Sequence, residues 1–543
     1  MKKFCATILC VIMCVTSLNL FACSGKKQVN TDGWVNESGK EPIELTWFVD
    51  LDAFNKEFKD TLADREIFRK TGVKIKFTSS DSVTGQSKLN SMILGNQLTD
   101  LVSTPAESSA HVQMIKGKYI WDMKSLFSTY TDVKDFIPED MYKWCSYTDG
   151  KLYELRTHFF GDDCTDGELL TNTVLIASGK YLEEYDIDHE TDFKTMDKLI
   201  ETLEKVKRGE DAKGNKTFIP FYSYSGGEEF SEFLAIPRED SNGNYQDWYE
   251  REEAKELAVQ LNKMYRKGLL TEASYNSLVD MEEAILDGRT FLIMMNFASQ
   301  QYYLWDDYLD NGNMYYAVNP PRNANGDDPM LTCWAPNGYL ATCISKRSKH
   351  ADRALDLLNY LYSEEGQILV NFGIKNDSYT IGEDGLYYQT NKYYSMDDEE
   401  IADYYGHPWY ETLVSNTPYL RSLTGIPSIE PAKFTQEIFS YFNQFAYNTR
   451  ALNAIHPNDA TTGLPAVMQQ ANAKFSWVEI IVSAEAGMSD SDARAKVLQT
   501  YDSQLTARNS TKRFDEVKEY YNTKFKANKE KLGIDFIWPA NKK

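Results

Sequence analysis

The sequence predicts an α/β protein built on open sheets whose parallel strands are joined by crossover helices. Residues 43–103 alternate strand and helix patterns, and residues 331–374 contain a strand followed by an amphipathic helix. Such alternation indicates parallel pairing, because neighbouring parallel strands need a long crossover connection. Ligands of such sheets bind beyond the carboxyl ends of the strands, which are predicted at residues 48–52 and 103–108.

The first of these stretches contains three strands and two helices. Its first strand covers 43–50 and begins with strict alternation of apolar and polar residues. A helix ends at Gly72, a second strand covers 73–77, and a second helix stops at Gly95 before a third strand at 98–103. The apolar residues that mark the two helices are Phe54, Phe58, Leu62, Leu89, Met92 and Ile93.

The second stretch begins with a strand at 339–344, which is rich in aromatic and β-branched residues and follows an Asn-Gly turn at 337–338. A helix with apolar residues at helical spacing comes next, and Ser348 is its predicted N-cap. Ser363 starts a further short helix, which Gly373 closes. Between the two stretches the same patterns recur, with strands predicted at 173–177 and 288–296 and helices at 195–207 and 252–267.

Composition and charge narrow the classes of function. The 543 residues include 81 acidic and 58 basic side chains, which gives a formal charge of −23. Non-specific nucleic-acid binding is not expected, because it relies on Lys and Arg to neutralise phosphates. Beyond the N-terminal region no segment approaches 18 uncharged apolar residues, so we expect no membrane-spanning helix there. The chain is long enough for more than one hydrophobic core.

The N-terminus has the pattern of a bacterial lipoprotein signal. Two lysines precede an apolar segment at 4–20, and the Leu-Phe-Ala-Cys sequence at 20–23 resembles a lipobox. Cleavage before Cys23 would make it the lipid-bearing first residue, and a lipid of several chains anchors a protein stably. We therefore expect residues 1–22 to be a signal peptide and the protein to be lipid-anchored at the extracellular face of the cell membrane.

The usual signatures of catalysis and of metal or cofactor binding are missing from the sequence. It has no G-x-S-x-G nucleophile motif, no H-E-x-x-H zinc motif and no glycine-rich phosphate loop. The six histidines do not fall at metal-ligand spacing, and His111 and His158 are expected to be loop or surface residues. The segment 211–220 has Lys213 where a calcium loop needs a carboxylate, so we interpret it as a turn. We expect neither an enzyme nor a bound metal or cofactor.

Aromatic side chains occur at the ends of predicted strands, in segments that should face a cleft. An aromatic ring stacks on the apolar face of a pyranose, while nearby carboxylates and amides bind the sugar hydroxyls. Each aromatic residue could instead pack in a core. The predicted ligand-binding residues are Trp47, Asp50, Glu107, Tyr222, Tyr224, Glu228, Asn296, Tyr302, Trp305 and Trp334.

One helical segment resembles a known family. The sequence ALDLLNYLYSEEGQ at 354–367, followed by NFGI at 371–374 and by Tyr379, is similar to a helix of the extracellular solute-binding lipoproteins of ABC importers. In that family the pattern marks a helix that returns the chain to its first lobe. The resemblance implies a two-lobed type II periplasmic-binding-protein-like fold, in which each lobe is a mixed, mostly parallel sheet flanked by helices and a hinge joins the lobes.

The resemblance also implies a division of the chain, in which residues 315–321 cross back to lobe one. The expected segments are a signal peptide at 1–22, a flexible tether at 23–41, lobe one at 42–165 with a return at 313–375, and lobe two at 166–312 with a helical second part at 376–543.

The implied function is capture of an extracellular carbohydrate, which we interpret as an oligosaccharide, by closure of the two lobes. The expected partners are this ligand and the permease subunits of an ABC importer, with no nucleic acid, and the protein is expected to be a monomer. A peptide is the competing ligand within the same class of lipoprotein. Two further classes of protein compete with this interpretation: a surface glycoside hydrolase, which needs a pair of carboxylates, and a helical glycan-binding lipoprotein of the outer membrane, which the predicted strands disfavour.

Overall fold

The computed structural model of the protein contains two main sheets, of five and four strands, each flanked by helices and each with its own hydrophobic core. Two further sheets among the described residues have two strands each. The structure describes residues 33–51, 54, 60–79, 85–106, 108–129, 144–157, 171–223, 225–271, 278–333, 338–415, 420, 423–425, 430–453, 455 and 462–533.

The strands are β1 (Ile43–Val49), β2 (Val73–Thr78), β3 (Leu101–Pro105), β4 (Leu155–Arg156), β5 (Thr173–Ser178), β6 (Ile219–Ser223), β7 (Thr290–Asn296), β8 (Tyr315–Ala317), β9 (Leu331–Thr332), β10 (Leu340–Ile344), β11 (Tyr379–Ile381), β12 (Tyr387–Gln389) and β13 (Ala446–Tyr447).

The helices are α1 (Leu62–Thr71), α2 (Gly85–Leu94), α3 (Ser109–Lys116), α4 (Met123–Thr129), α5 (Gly179–Glu184), α6 (Met196–Lys213), α7 (Phe230–Phe233), α8 (Glu252–Arg266), α9 (Leu278–Leu286), α10 (Phe297–Asn311), α11 (Ala351–Tyr362), α12 (Glu364–Phe372), α13 (Asn391–Tyr394), α14 (Asp398–Tyr404), α15 (His407–Val414), α16 (Glu430–Asn443), α17 (Arg450–Asn453), α18 (Pro465–Asn472), α19 (Trp477–Ile481), α20 (Asp490–Asn509) and α21 (Phe514–Leu532). A 3₁₀ helix covers Trp248–Glu250. In the described part of the chain, none of the helices has both the length and the apolar character needed to cross a membrane.

The first sheet forms lobe one and has the strand order β2-β1-β3-β10-β4. Strands β1, β2 and β3 are parallel, as the alternation of strands and helices predicts, and β10 is antiparallel to both β3 and β4. The carboxyl ends of β1 and β3 therefore share one edge of the sheet with the start of β10. The core of lobe one lies between this sheet and a layer that includes α11, α12 and α15.

The second sheet forms lobe two and has the strand order β6-β7-β5-β8. Strands β6 and β7 are parallel, and β5 is antiparallel to β7 and β8. The carboxyl ends of β6 and β7 therefore lie at the same end of the sheet as the start of β5. The core of lobe two takes in residues of α6, α8, α16 and α20.

Two of the connections between the lobes pair with each other at their described ends. On lobe one, Thr157 accepts a hydrogen bond of 2.7 Å from the amide of Gly338, and its own amide donates to the carbonyl of Leu340 at 3.2 Å. On lobe two, Thr171 forms an antiparallel bridge with Cys333. The strand ends of both lobes therefore lie beside these two pairs. We call the space between the two sets of strand ends the interlobe cleft.

The lobe boundaries differ from the expected division. Residues 315–321 do not cross back to lobe one, because β8 pairs with β5 of lobe two, and the return follows Cys333. The chain beyond residue 375 stays on lobe one at first: residues of α15 belong to its core, and the amide of Gly425 donates to the carbonyl of Tyr387 at 2.8 Å. The chain joins the core of lobe two again in α16. Pairing and packing between residues distant in sequence decide these boundaries.

Several predicted helix ends are confirmed. Gly72 ends α1 in the left-handed conformation with φ of 64°, Gly373 ends α12, and the Ser363 hydroxyl caps α12 by accepting from the amide of Gly366. Ser348 is not the N-cap of α11, which begins at Ala351. Its hydroxyl donates instead to the Asp100 carboxylate at 2.7 Å, a long-range bond that the local sequence does not reveal.

Candidate functional site

The lobe-one wall of the cleft is organised by Asp50, which follows β1. Its carboxylate is 8 % exposed and accepts hydrogen bonds from the Thr104 hydroxyl at 2.7 Å and from the Gln86 amide. The first residue of α2 is Gly85, and a methyl group at this position would overlap the Asp50 carboxylate. The Thr104 hydroxyl also lies 3.1 Å from that of Ser108. Asp50 is therefore a fixed hydrogen-bond acceptor at the predicted strand end.

A buried network of hydrogen bonds and an ion pair supports the lobe-one wall. The carboxylate of Glu154 pairs with Arg156 at 3.0 Å and accepts a hydrogen bond of 3.0 Å from the Tyr147 hydroxyl. Burial alone would raise the pKa of Glu154, but the Arg156 guanidinium, the nearby His111 ring and the hydrogen bond from Tyr147 outweigh it and lower the pKa to about 2. Glu154 is thus ionised, and Arg156 extends the network to the hinge by donating to the carbonyl of Gly338 at 3.1 Å.

His111 belongs to this network, which corrects the expectation of a loop or surface residue. It lies in α3, is fully buried, and its Nδ1 is 2.7 Å from the carbonyl oxygen of Ala106. A carbonyl can only accept, so Nδ1 carries the proton. The other ring nitrogen lies 3.5 Å from the Glu154 carboxylate. His111 therefore positions the chain at the end of β3, beside Asp50.

The lobe-two wall is the segment 225–232 that follows β6. The amide of Gly227 donates to the Ser223 hydroxyl at 2.8 Å, the Ser225 hydroxyl donates to Glu229, and Glu228 accepts from the Tyr249 hydroxyl. Burial raises the pKa of both glutamates above the ordinary value. The last residue of this segment, Glu232, accepts hydrogen bonds from the amide and the hydroxyl of Thr332 at 2.9 and 2.7 Å. These bonds join the lobe-two wall to the interlobe connection.

Two of the predicted ligand-binding aromatics lie in the cores. Trp47 is fully buried, its indole nitrogen donates to the Ser103 hydroxyl at 2.8 Å, and its ring stacks on Phe77. Tyr222 in β6 is also fully buried. Neither ring presents a face to a ligand here, because each points from its strand into the covered side of the sheet.

The other predicted residues are distributed as follows. Asp50 and Glu228 lie on the two walls as described, and Asn296 is exposed at the cleft end of β7. Trp305, in α10, is half-buried, and its indole nitrogen donates to the Thr435 hydroxyl of α16 at 3.2 Å. Glu107, Tyr224 and Trp334 lie outside the described residues, as does the side chain of Tyr302.

Two aromatic residues near the lobe-one wall are missing from the predicted set. Tyr339, just before β10, is 54 % exposed, and its carbonyl accepts from the amide of Ala106 at 2.9 Å. Trp409 in α15 is half-buried and packs its ring 5.2 Å from that of Phe54, four residues beyond Asp50. The turn at 337–338 is a sequence signal for Tyr339. Trp409 has none, because its segment is expected on the other lobe.

Together the two walls offer fixed hydroxyl, amide and carboxylate groups, with aromatic rings nearby, on either side of a cleft. Such groups suit a ligand that carries many hydroxyls. Among the residues that the structure describes, no three His, Cys, Asp or Glu side chains converge to hold a metal ion.

Comparisons with known proteins agree with this architecture. The chain is similar to the Streptococcus pneumoniae ABC-transporter substrate-binding protein FusA in complex with kestose, with a TM-score of 0.64 and 17 % identity over 90 % of this chain and 100 % of that one. An extracellular solute-binding protein from Bifidobacterium longum subsp. infantis has a TM-score of 0.62 and 15 % identity, covering 91 % and 100 % of the two chains. The alginate-binding protein AlgQ2 has a TM-score of 0.58 and 15 % identity, covering 87 % and 100 %.

These likenesses confirm the two-lobed periplasmic-binding-protein-like fold. No curated protein sequence matches the chain. The family model for the bacterial extracellular solute-binding protein, however, matches residues 51–370, which is more than half of the chain. The protein therefore belongs to the bacterial extracellular solute-binding proteins.

Proposed function

We propose that this protein captures an extracellular oligosaccharide in its interlobe cleft and delivers it to an ABC permease in the membrane. The observation that carries the proposal is the pair of strand-end walls, Asp50 with its partners on lobe one and segment 225–232 on lobe two, on either side of paired connections. Closure of the lobes brings both walls onto the ligand. The ligands of one structural relative support an oligosaccharide as the ligand class. That protein is in complex with kestose, and a mutant of it is in complex with fructo-nystose.

The contacts that we propose combine hydroxyl binding with ring stacking. Asp50, Glu228 and Asn296 accept from or donate to sugar hydroxyls, and Trp305 supplies a ring at the lobe-two side. Glu107, Tyr224, Tyr302 and Trp334 remain proposed contacts from their sequence positions, whereas Trp47 and Tyr222 are left out because they are core residues.

We also propose capture without chemical conversion. The described carboxylates of the walls are already hydrogen-bonded by the protein, Asp50 by Thr104 and Glu229 by Ser225, which suits fixed acceptors better than a mobile acid and base. The energy of import comes from the partner ATPase. The mature chain acts as a monomer that Cys23 anchors by lipid to the extracellular face, with residues 23–41 as its tether.

A thermal-shift screen of the mature chain tests the proposal. The probes are kestose, nystose and maltotriose, with tri- and pentapeptides as the competing class. A ligand of the native state at 100 times its Kd stabilises by roughly 2.7 kcal/mol, so one or more of the oligosaccharides should raise Tm. Small-angle scattering with the stabilising ligand should then give a smaller radius of gyration. Stabilisation by peptides alone would reject the carbohydrate, and release of shortened sugars would reject capture without conversion.

A further inference from the structure

A second concave site lies on lobe two, away from the interlobe cleft. It is a cavity of about 940 Å³ bordered by α5 and the turn that follows it, the end of α10 and the start of β8. Strand β5 begins at the hinge, where Thr173 pairs with Asn296, and ends at Ser178 beside the cavity. At about 3.3 Å per residue, this places the cavity roughly 17 Å from the cleft edge of the sheet. The cavity is thus separate from the proposed ligand site.

An exposed aromatic ring forms one side of the cavity. Tyr316 is 41 % exposed, and its ring centroid lies 5.6 Å from that of His189 at an interplanar angle of 36°. A side chain at Gly179 would approach the Tyr316 ring to 2.8 Å, so the glycine lets this ring lie close to the backbone. Nδ1 of His189 lies 3.0 Å from the carbonyl oxygen of Ala317 and must donate to it. In the neutral ring, Nε2 then remains a hydrogen-bond acceptor.

The opposite side of the cavity is a fixed polar floor. The carboxylate of Asp307 is fully buried and accepts hydrogen bonds from the side-chain amides of Asn311 at 2.8 Å and Asn313 at 2.9 Å, and from the Tyr315 hydroxyl. The Asn311 amide also donates to the carbonyl of Leu286 at 2.9 Å. These bonds use both hydrogens of the Asn311 amide and hold that side chain in one orientation. The Asn311 carbonyl oxygen is therefore the acceptor of this floor that meets a ligand with little reorganisation.

The rim adds charged groups of both signs. The ammonium group of Lys180 lies 4.9 Å from the ring centroid of Tyr181, and the carboxylates of Glu183 and Asp186 lie nearby on the same rim. Lysine offers only donors and carboxylates only acceptors. The cavity thus presents donors, acceptors and one accessible ring face within a small concave volume.

We infer that this cavity is a second carbohydrate-binding site, which takes one or two sugar rings with one ring stacked on Tyr316. Its volume falls within the range of small-ligand sites, roughly 300–1,000 Å³. A mixture of donors and acceptors beside a ring matches the hydroxyls and the apolar face of a sugar. A protein partner would instead be expected to cover a broader face with an apolar centre. The site would hold a glycan to the protein independently of cleft closure.

Ligand-observed saturation-transfer NMR tests this inference. The probes are maltose, cellobiose and N,N′-diacetylchitobiose at millimolar concentration, with the mature chain carrying Asp50→Ala to weaken the proposed cleft site. In that background Tyr316→Ala should reduce the signal of at least one disaccharide at least fivefold. The matched control is Tyr404→Ala, because Tyr404 is 42 % exposed on lobe one. This control should leave the signals unchanged.

Asn311→Ala provides a second variant if Tyr316→Ala does not fold, as judged by its melting curve, and it should weaken the same signal. Equal disaccharide signals in the Tyr316→Ala, Asn311→Ala and Tyr404→Ala proteins would overturn the inference, and so would the absence of any signal before these changes. Loss of permease binding in Tyr316→Ala with unchanged sugar signals would identify a protein-docking surface instead. Since every arm carries Asp50→Ala, failure here leaves the proposed cleft function untouched.

Discussion

The guanidinium of Arg156 donates a hydrogen bond of 3.1 Å to the carbonyl oxygen of Gly338, which joins the end of β4 to the second connection between the lobes. The same arginine is buried against the ionised Glu154. A side chain at Gly338 would overlap the backbone of Thr157, so the glycine allows the lobe-one ends of the two connections to pair this closely. A buried ion pair thus fixes the lobe-one end of the hinge.

Removal of Arg156 should destabilise the protein strongly. Arg156→Ala leaves the buried Glu154 charge without its partner, which typically costs about 3–5 kcal/mol of the free energy of unfolding. Urea unfolding measures this loss. The control is Arg494→Ala, which breaks an exposed pair with Glu256 and should cost about 1 kcal/mol or less. Equal losses in the two variants would contradict a structural role for the buried pair.

The stability of lobe one should fall with pH below about 4.5. The pKa of Glu154 is about 2 in the folded protein, against an ordinary value of 4.5, so on acidification the unfolded chain binds a proton first. The stabilisation that Glu154 contributes is therefore present above 4.5 and is lost as pH falls towards 2. Between pH 2 and 6, the free energy of unfolding should depend less strongly on pH in Glu154→Gln than in the wild type. Glu256→Gln, at an exposed site, should keep most of the wild-type slope.

Gly85→Ala should weaken ligand binding although residue 50 is still an aspartate. The added methyl group overlaps the Asp50 carboxylate and must displace it from Thr104 and Gln86. A hydrogen bond to a charged group is worth about 1.5–3 kcal/mol, and calorimetry with the oligosaccharide found by thermal shift should register a loss of this order. Gly487→Ala is the control, because no atom lies within 4 Å of a methyl group there. Wild-type affinity in Gly85→Ala would exclude Asp50 as a contact.

The tryptophans of the two lobes should respond differently to truncation. Trp47→Ala removes a fully buried ring and should cost about 3–5 kcal/mol of folding stability. Trp305→Ala, at a half-buried position, should instead weaken oligosaccharide binding by roughly 1–3 kcal/mol. Melting temperature without ligand and calorimetric affinity separate the two effects. A large fall in Tm with unaltered affinity would assign Trp305 to packing alone.

The proposed lipid anchor requires Cys23 as its attachment site. Cys23→Ala should release the protein into the medium or leave an unprocessed precursor, because the lipid attachment site is gone. Cell fractionation and intact mass measurement distinguish these outcomes from the wild type. Detection of wild-type protein with an unmodified Cys23 would reject the anchor.

The sequence by itself determined the local structure and the family. Three features depend only on neighbouring residues, and each is confirmed: the alternation of strands and helices over 43–103, the glycine caps at Gly72 and Gly373, and the helix motif at 354–367. The position of Asp50 at a strand end follows from the same local reasoning, since the end of a strand depends on its own residues.

Only the tertiary structure decided which face of each strand is covered and which distant segments meet. Alternation puts Trp47 on one face of β1 but does not say that α11 and α15 bury that face. The lobe boundaries differ from the expected ones because β8 pairs with β5 and α15 packs on lobe one. For the same reason Trp409 lies on lobe one, beside Phe54, rather than on lobe two. His111, Glu154 and Gly338 lie far apart in sequence, so their network forms only when the sheet of lobe one has formed. Contacts between such distant residues produce no periodic pattern in the sequence, and the sequence therefore could not predict them.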